Sequence, residues 1–184
     1  MAPEHWHAIS SRQILDVSPW FSVIEDTLRL PSGRVVNDFY RIEAPNYVLI
    51  AARTDEKRFV LERHYKHYLG QIILTSPTKT IETGEKALDA AKRELLEETG
   101  YVADKWYSMG AFTVDGTRGI CRAHLFLADG IRMVAELMHN DMEEFEFVSL
   151  TVKEIKSAIR LQKILLLPDV ALLTMATNDL FADC

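Results

Sequence analysis

Lys79 to Tyr101 reads KTIETGEKALDAAKRELLEETGY, and the run Arg93-Glu94-Leu95-Leu96-Glu97-Glu98-Thr99-Gly100 inside it carries the most information in the chain. From Lys86 to Thr99 the stretch is rich in Ala, Leu, Glu, Lys and Arg and has neither Gly nor Pro, which predicts a helix of about four turns. Gly100 supplies the expected stop. On that helix Glu97 follows Glu94 at i+3 and Glu98 follows it at i+4, so three carboxylates share one face. Leu88, Ala91, Leu95 and the methyl of Thr99 form an apolar stripe beside them, which sets the acidic face at the border of a packed surface.

Like charges at this spacing repel, and a hard divalent cation such as Mg²⁺ or Mn²⁺ would turn the repulsion into attraction. The plainer alternative is a solvated acidic face, with Lys92 and Arg93 pairing Asp89 and Glu97. Glu85, eight residues before Arg93, lies at the mouth of the helix, where the dipole favours a carboxylate and an arginine is within reach.

These positions resemble the box of the Nudix hydrolases, Gly-x5-Glu-x7-Arg-Glu-U-x-Glu-Glu-x-Gly-U with U a bulky apolar residue. Glu85, Arg93, Glu94, Leu95, Glu97, Glu98, Gly100 and Tyr101 match it, and Lys79 stands where the opening glycine would be. The resemblance implies an α+β fold of the Nudix α/β/α sandwich type with a mixed sheet and N-terminal antiparallel strands. It also implies metal-dependent hydrolysis of the diphosphate linkage of a nucleoside diphosphate joined to another moiety, ADP-ribose or a nucleotide sugar. In that reading Glu94, Glu97 and Glu98 hold Mg²⁺ or Mn²⁺, Glu97 also serving as a water-orienting base, and the main-chain oxygen of Thr78 adds a ligand. Arg93 and Glu85 brace the loop against the helix. The alternative is a nucleotide-binding or regulatory module on the same fold with weak or no catalysis. Lys79, Thr75 and Asp115 favour it, because the ADP-ribose branch usually carries a glycine, an acid and a proline at those three places.

Upstream of the box, Tyr47–Ala52 is a nearly continuous apolar run and predicts a buried central strand, followed by a second over Arg58–Tyr65. His64 and His67 invite a metal reading but have no third ligand at suitable spacing, and strand-end polar residues explain them. Lys66 falls where the resemblance implies a basic residue near the substrate. Residues 1–43 alternate short strands with turn signals: Trp20–Ile24, Thr27–Leu30, the Pro31-Ser32-Gly33 turn, then Val35–Ile42. This part is similar to the N-terminal strands of the ADP-ribose pyrophosphatase branch, which implies a homodimer; a plain extra hairpin is the alternative. The expected division is therefore 1–43 as a strand region and dimerisation element, and 44–184 as the Nudix hydrolase domain.

Downstream, strands are predicted over Lys105–Phe112 and Ile120–Ala128, flanking a loop with Gly116 and Gly119 in which Arg118 is a candidate phosphate contact. Glu143 and Glu144 precede the next strand, where the resemblance implies a glutamate that activates water; solubilising surface acids are the alternative. Val152–Leu161 and Pro168–Ala176 predict two closing helices.

The composition bounds the rest. A chain of 184 residues, 48 % hydrophobic and 26 % charged, is long enough for a domain with a substantial core. No apolar run approaches the ~20 residues that span a bilayer, and Met1–Arg12 lacks the pattern of a signal peptide, so cytoplasm is the default and no membrane partner is expected. A net charge of −6 without a basic patch argues against a nucleic-acid partner and leaves a small nucleotide bridged by a cation. Cys121 and Cys184 form no metal or disulfide pattern.

Overall fold

The computed structural model describes residues 4–135 and 145–178. The chain divides into two compact units, Met1–Asn46 with Thr113–Arg122, and Tyr47–Phe112 with Ala123–Cys184.

The first unit is an antiparallel sheet of β1 (His7–Val17), β2 (Phe21–Arg29) and β3 (Val35–Glu43), in that order. Along β2 the two-residue period buries Ile24, Asp26 and Leu28 on one face. Asp26 is tolerated there because Arg41 Nε, on β3, donates to its Oδ2 at 2.7 Å. The Pro31-Ser32-Gly33 turn closes β2 on β3, with Gly33 at φ +83°, a conformation that suits glycine. The 113–122 segment runs beside the end of β3, where the amides of Ile42 and Ala44 donate to the carbonyls of Arg118 and Ile120 at 3.0 and 2.9 Å. Trp20–Ile24 and Thr27–Leu30, expected as separate strands, merge into the single strand β2, which leaves out Trp20 and Leu30, and β1 was not expected.

The second unit is built on a mixed sheet of β4 (Tyr47–Arg53), β5 (Phe59–Lys66), β6 (Gln71–Thr75), β7 (Thr78–Thr80), β8 (Tyr101–Thr113), β9 (Arg122–Met133) and β10 (Phe145–Leu150). The main path is β10-β5-β4-β9-β8, with β6 on β5 and β7 on β4. β4 and β9 are parallel, whereas β5 is antiparallel to β4, β6 and β10. The apolar run of β4 is buried on both faces. Leu49 and Ala51 point into one cluster, with Leu172 and Leu173 of α3 (Leu167–Thr177) and Ile155 of α2 (Val152–Arg160); Val48, Ile50 and Ala52 point into another, with Ala90, Ala91 and Leu95 of α1 (Ala87–Thr99). Helices therefore cover both faces, and the fold is the α/β/α sandwich with a mixed sheet and antiparallel N-terminal strands that the sequence led us to expect.

Two helix ends are fixed by local chemistry. Thr151 and Glu154 form a reciprocal capping box at the start of α2. Gly100 ends α1 at φ +69°, and its amide donates to the carbonyl of Leu96 at 2.9 Å. A Cβ at Gly100 would collide with the carbonyl oxygen of Ala135, while the amides of Val134 and Ala135 donate to the Gly100 carbonyl. The buried face of α1 is Ala90, Ala91, Glu94, Leu95 and Thr99; Leu88, expected in the stripe, is exposed, because Ala90 takes its place against the sheet. Among the described residues no helix is long and apolar enough to cross a membrane.

Candidate active site

Strand parity brings three elements to one spot. Val60 on β5 faces α1, so Glu62 and His64, two and four residues on, face the same way. Lys79 on β7 lies opposite Val48, which also faces α1, and directly paired residues project to the same side of a sheet. α1 packs against both β4 and β7, and its buried face presents Glu94. β5 pairs with β4 at Phe59 and Val60 and with β6 from Glu62 onward, so Glu62 stands where the sheet parts.

The result is a crowded group of carboxylates, Glu62, Glu94 and Glu98, with one ammonium among them. Lys79 Nζ lies 3.1 Å from Glu98 Oε1 and 3.7 Å from Glu94 Oε2. Glu94 is fully buried and Glu62 is 5 % exposed. Both oxygens of Glu94 and Oε1 of Glu62 have no hydrogen-bond partner. Burial, and then the Glu98 carboxylate, push the pKa values of both Glu94 and Glu62 far above the usual carboxylate range. Lys79 and Arg93 offset part of this at Glu94, and Lys66 part of it at Glu62. Burial acts to lower the pKa of Lys79, but Glu94 and Glu98 outweigh it and hold the ammonium's pKa above its ordinary value.

The outer side of α1 differs. Arg93 grips Glu85 through two hydrogen bonds of 3.0 Å, from Nε to Oε1 and from Nη2 to Oε2, and its Nη1 donates to Glu97 Oε2 at 3.1 Å. Glu85 also accepts from the amide of Glu82 at 3.1 Å, which ties the loop before the helix to its flank. The arginine and then the Glu82 amide hold the Glu85 carboxyl below the usual range. Glu97 is exposed on this outer side. The spacing put Glu94, Glu97 and Glu98 together, whereas the structure groups Glu94 and Glu98 with Glu62 and leaves Glu97 with Arg93.

Behind the cluster a buried polar layer fixes the approach to β7. Thr75, directly across from Glu62, hydrogen-bonds through Oγ1 to His64 Nε2 at 2.9 Å. Asp169, in the first turn of α3, accepts from the amide of Ser76 at 2.6 Å. Burial pushes Asp169 up to about 6, against the pull of Ser76 and Lys66. Pro77 gives its carbonyl to the amide of Ile50 at 3.1 Å, and the Thr78 hydroxyl donates to the carbonyl of Ser76. Lys66 acts on Glu62 and Asp169 through its charge, and His67 sits edge-on to Tyr65 while His64 is bonded to Thr75.

Arg118 belongs to the first unit, where its guanidinium pairs with Asp115 at 3.2 Å and its amide donates to the same carboxylate at 2.7 Å. Glu143 and Glu144 lie outside the described residues. Glu62 and Asp169 were missed in the sequence. The signal for Glu62 was available, since its parity with Val60 places an acid on the helix-facing side of a buried strand. Asp169 read as an ordinary first-turn acid.

Among the described residues, no three His, Cys, Asp or Glu side chains converge closely enough to hold a cation as they stand, Lys79 lying between Glu94 and Glu98. The donor chemistry nevertheless fits a hard divalent ion: buried carboxylate oxygens, three of them without hydrogen bonds, beside a half-buried Glu98.

The chain is similar to known proteins in sequence and in fold. Residues 44–168 match the model of the NUDIX domain. The ADP-ribose pyrophosphatase of Bacillus subtilis (strain 168) is 30 % identical over 138 residues, covering 75 % of this chain and 72 % of that protein. The methanol dehydrogenase activator of Bacillus methanolicus is 28 % identical over 140 residues, covering 76 % and 75 %. A crystal structure of an ADP compounds hydrolase superposes with a TM-score of 0.82 over 98 % of this chain and 96 % of its own, at 18 % identity, which speaks to the fold alone.

Proposed function

The chain belongs to the Nudix hydrolase family, and from that premise we propose that it hydrolyses the diphosphate linkage of a nucleoside diphosphate joined to another moiety, ADP-ribose or a nucleotide sugar. The observation that carries the proposal is the pair Glu94 and Glu98 in the family box, with Glu94 fully buried and both its oxygens without hydrogen bonds, and Glu62 of β5 near Glu98 with a third such oxygen. Such oxygens are costly in a resting protein and are expected where a ligand supplies the missing partner.

Glu94 and Glu98, joined by Glu62 and the main-chain oxygen of Thr78, would hold the Mg²⁺ or Mn²⁺. When bound, the ion supplies positive charge against the diphosphate and acidifies water for attack. Glu97 takes the water-orienting role, since its exposed carboxylate is fixed in direction by Arg93; Glu143 and Glu144 are alternatives for proton acceptance. Arg93 and Glu85 keep the loop registered on α1. Lys66 holds the β5 end of the site through Glu62 and Asp169, and Arg118 is a substrate contact only in a state that releases it from Asp115.

We further take 1–43 as a dimerisation element of a homodimer and 44–184 as the hydrolase domain. Support comes from the exposed Trp6, Ile9, Ile14, Leu15 and Trp20 of the N-terminal region, a density of apolar surface that suits a self-complementary interface.

The test is phosphate release, with a coupled phosphatase, from a panel of nucleoside diphosphate compounds in Mg²⁺, Mn²⁺ and EDTA. Metal-dependent cleavage that is lost in Glu98→Gln is expected. Cleavage that survives EDTA would remove the metal from the proposal. One observation favours a second reading, a binding or regulatory module: Lys79 already occupies the carboxylate cluster. In that case nothing on the panel is cleaved, while a nucleotide still raises Tm.

A further inference from the structure

Lys79 stands out among the charged groups of the second unit. Its backbone is held in the sheet by the pairing of β7 with β4, and the register opposite Val48 directs its side chain to the α1 face. A one-residue shift would present Thr78 or Thr80 instead. From this position the ammonium reaches both Glu98 and Glu94, at 3.1 and 3.7 Å, while about half of the side chain remains exposed. Glu94 has few other resources. It is fully buried, neither oxygen has a hydrogen bond, and Arg93, 3.9 Å away, spends its own donors on Glu85 and Glu97. Two carboxylates separated by one i, i+4 step thus share a single tethered cation.

We propose that Lys79 is a built-in counter-ion that holds the divalent-cation seat between Glu94 and Glu98 in the metal-free protein and must withdraw when the cation binds, so that metal uptake is an exchange of one cation for another. It rests on the metal reading above. The exchange has two consequences. The empty site is held together by the ammonium and tolerates the absence of metal, and the free cation is bound more weakly than the carboxylates alone would bind it. The exposed flank of Lys79 gives the side chain a route out to solvent, so the backbone of β7 need not move.

The experiment measures Mn²⁺ binding to the whole protein, without nucleotide, by the loss of the free-ion electron paramagnetic resonance signal, and Tm in EDTA and in saturating Mn²⁺. The proteins compared are wild type, Lys79→Met, which keeps the stem and drops the charge, Lys79→Arg, which keeps the charge, and Glu98→Gln. Lys79→Met is expected to bind Mn²⁺ roughly tenfold or more tightly than wild type, the effect of removing a unit charge a few ångströms from the ion at a partly solvated site. It should also melt below wild type in EDTA and gain more from Mn²⁺, while Lys79→Arg tracks wild type. Equal Mn²⁺ affinity in wild type and Lys79→Met, with binding lost in Glu98→Gln, would overturn the exchange and leave the metal site standing. Absence of Mn²⁺ binding in every protein, Lys79→Met included, would overturn the exchange together with the metal reading.

Discussion

The two flanks of α1 are built from the same residue types and reach opposite ends. On the outer flank Arg93, Glu85 and Glu97 satisfy one another with hydrogen bonds near 3 Å, and the Glu82 amide completes the set. On the inner flank Glu62, Glu94 and Glu98 crowd together with buried oxygens that find no donor, and Lys79 provides charge without full coordination. A satisfied ion pair fixes a shape, whereas an unsatisfied one reserves a place. The difference implies that the outer flank is scaffold and the inner flank is site.

The largest test of that division is Glu98→Gln, expected to lower turnover by roughly 10²–10³-fold or more while leaving Tm within a few degrees of wild type. A matched fall in Tm would make the inner flank structural after all. Next, Glu94→Gln replaces a crowded, buried carboxyl with an amide that can donate to its neighbours. It should abolish metal-dependent turnover and raise Tm in EDTA by roughly 2–4 °C, the shift that about 1 kcal/mol produces in a chain of this size. A drop in Tm of that size would show that the carboxylates are mutually stabilising and would erase the contrast between the flanks.

Asp169 falls between the two cases, being buried yet bonded to the Ser76 amide. Its folded-state value of about 6 lies above the ordinary 3.8, so the folded chain holds this proton more tightly than the unfolded one. The contribution to stability is present in full below about pH 4 and is lost as pH rises to about 6, a change of at most about 3 kcal/mol. Asp169→Asn should therefore gain on wild type as the pH rises from 4 to 6 in denaturant melts. A constant difference across that window would mean that the buried carboxyl does not titrate there. The smallest effect is reserved for Arg93→Met. It should lower Tm, yet leave Mn²⁺ affinity within about threefold of wild type, a change under 1 kcal/mol. A collapse of metal affinity would join the outer flank to the site.

The helix and its box were legible because helical periodicity, the glycine stop and the acid spacing all fall within one short stretch. The central strands were legible for a similar reason, since a run such as Tyr47–Ala52 that is apolar on both faces has few other uses. β1 was not, because all eleven of its residues are exposed and HAISSRQILDV shows no two-residue alternation. The site was legible in part. Glu94 and Glu98 follow from helix spacing, but whether Glu97 turns inward or outward depends on Arg93, which the period does not decide. The bond from Ser76 to Asp169 joins residues 93 positions apart, and such a pair leaves no local trace.

Gly100 has a consequence for how sequences of this shape can diverge. Its missing side chain lets α1 end flush against the Ala135 carbonyl, which makes it a lengthwise stop for the helix. An inserted residue between Glu94 and this stop would advance the carboxylates by about 1.5 Å and turn them by about 100°, away from Glu62. The loop before the helix is gauged only from Glu85 onward, by its bonds to Arg93. Insertions and deletions should therefore be tolerated only before Glu82, and be nearly forbidden between Glu94 and Gly100.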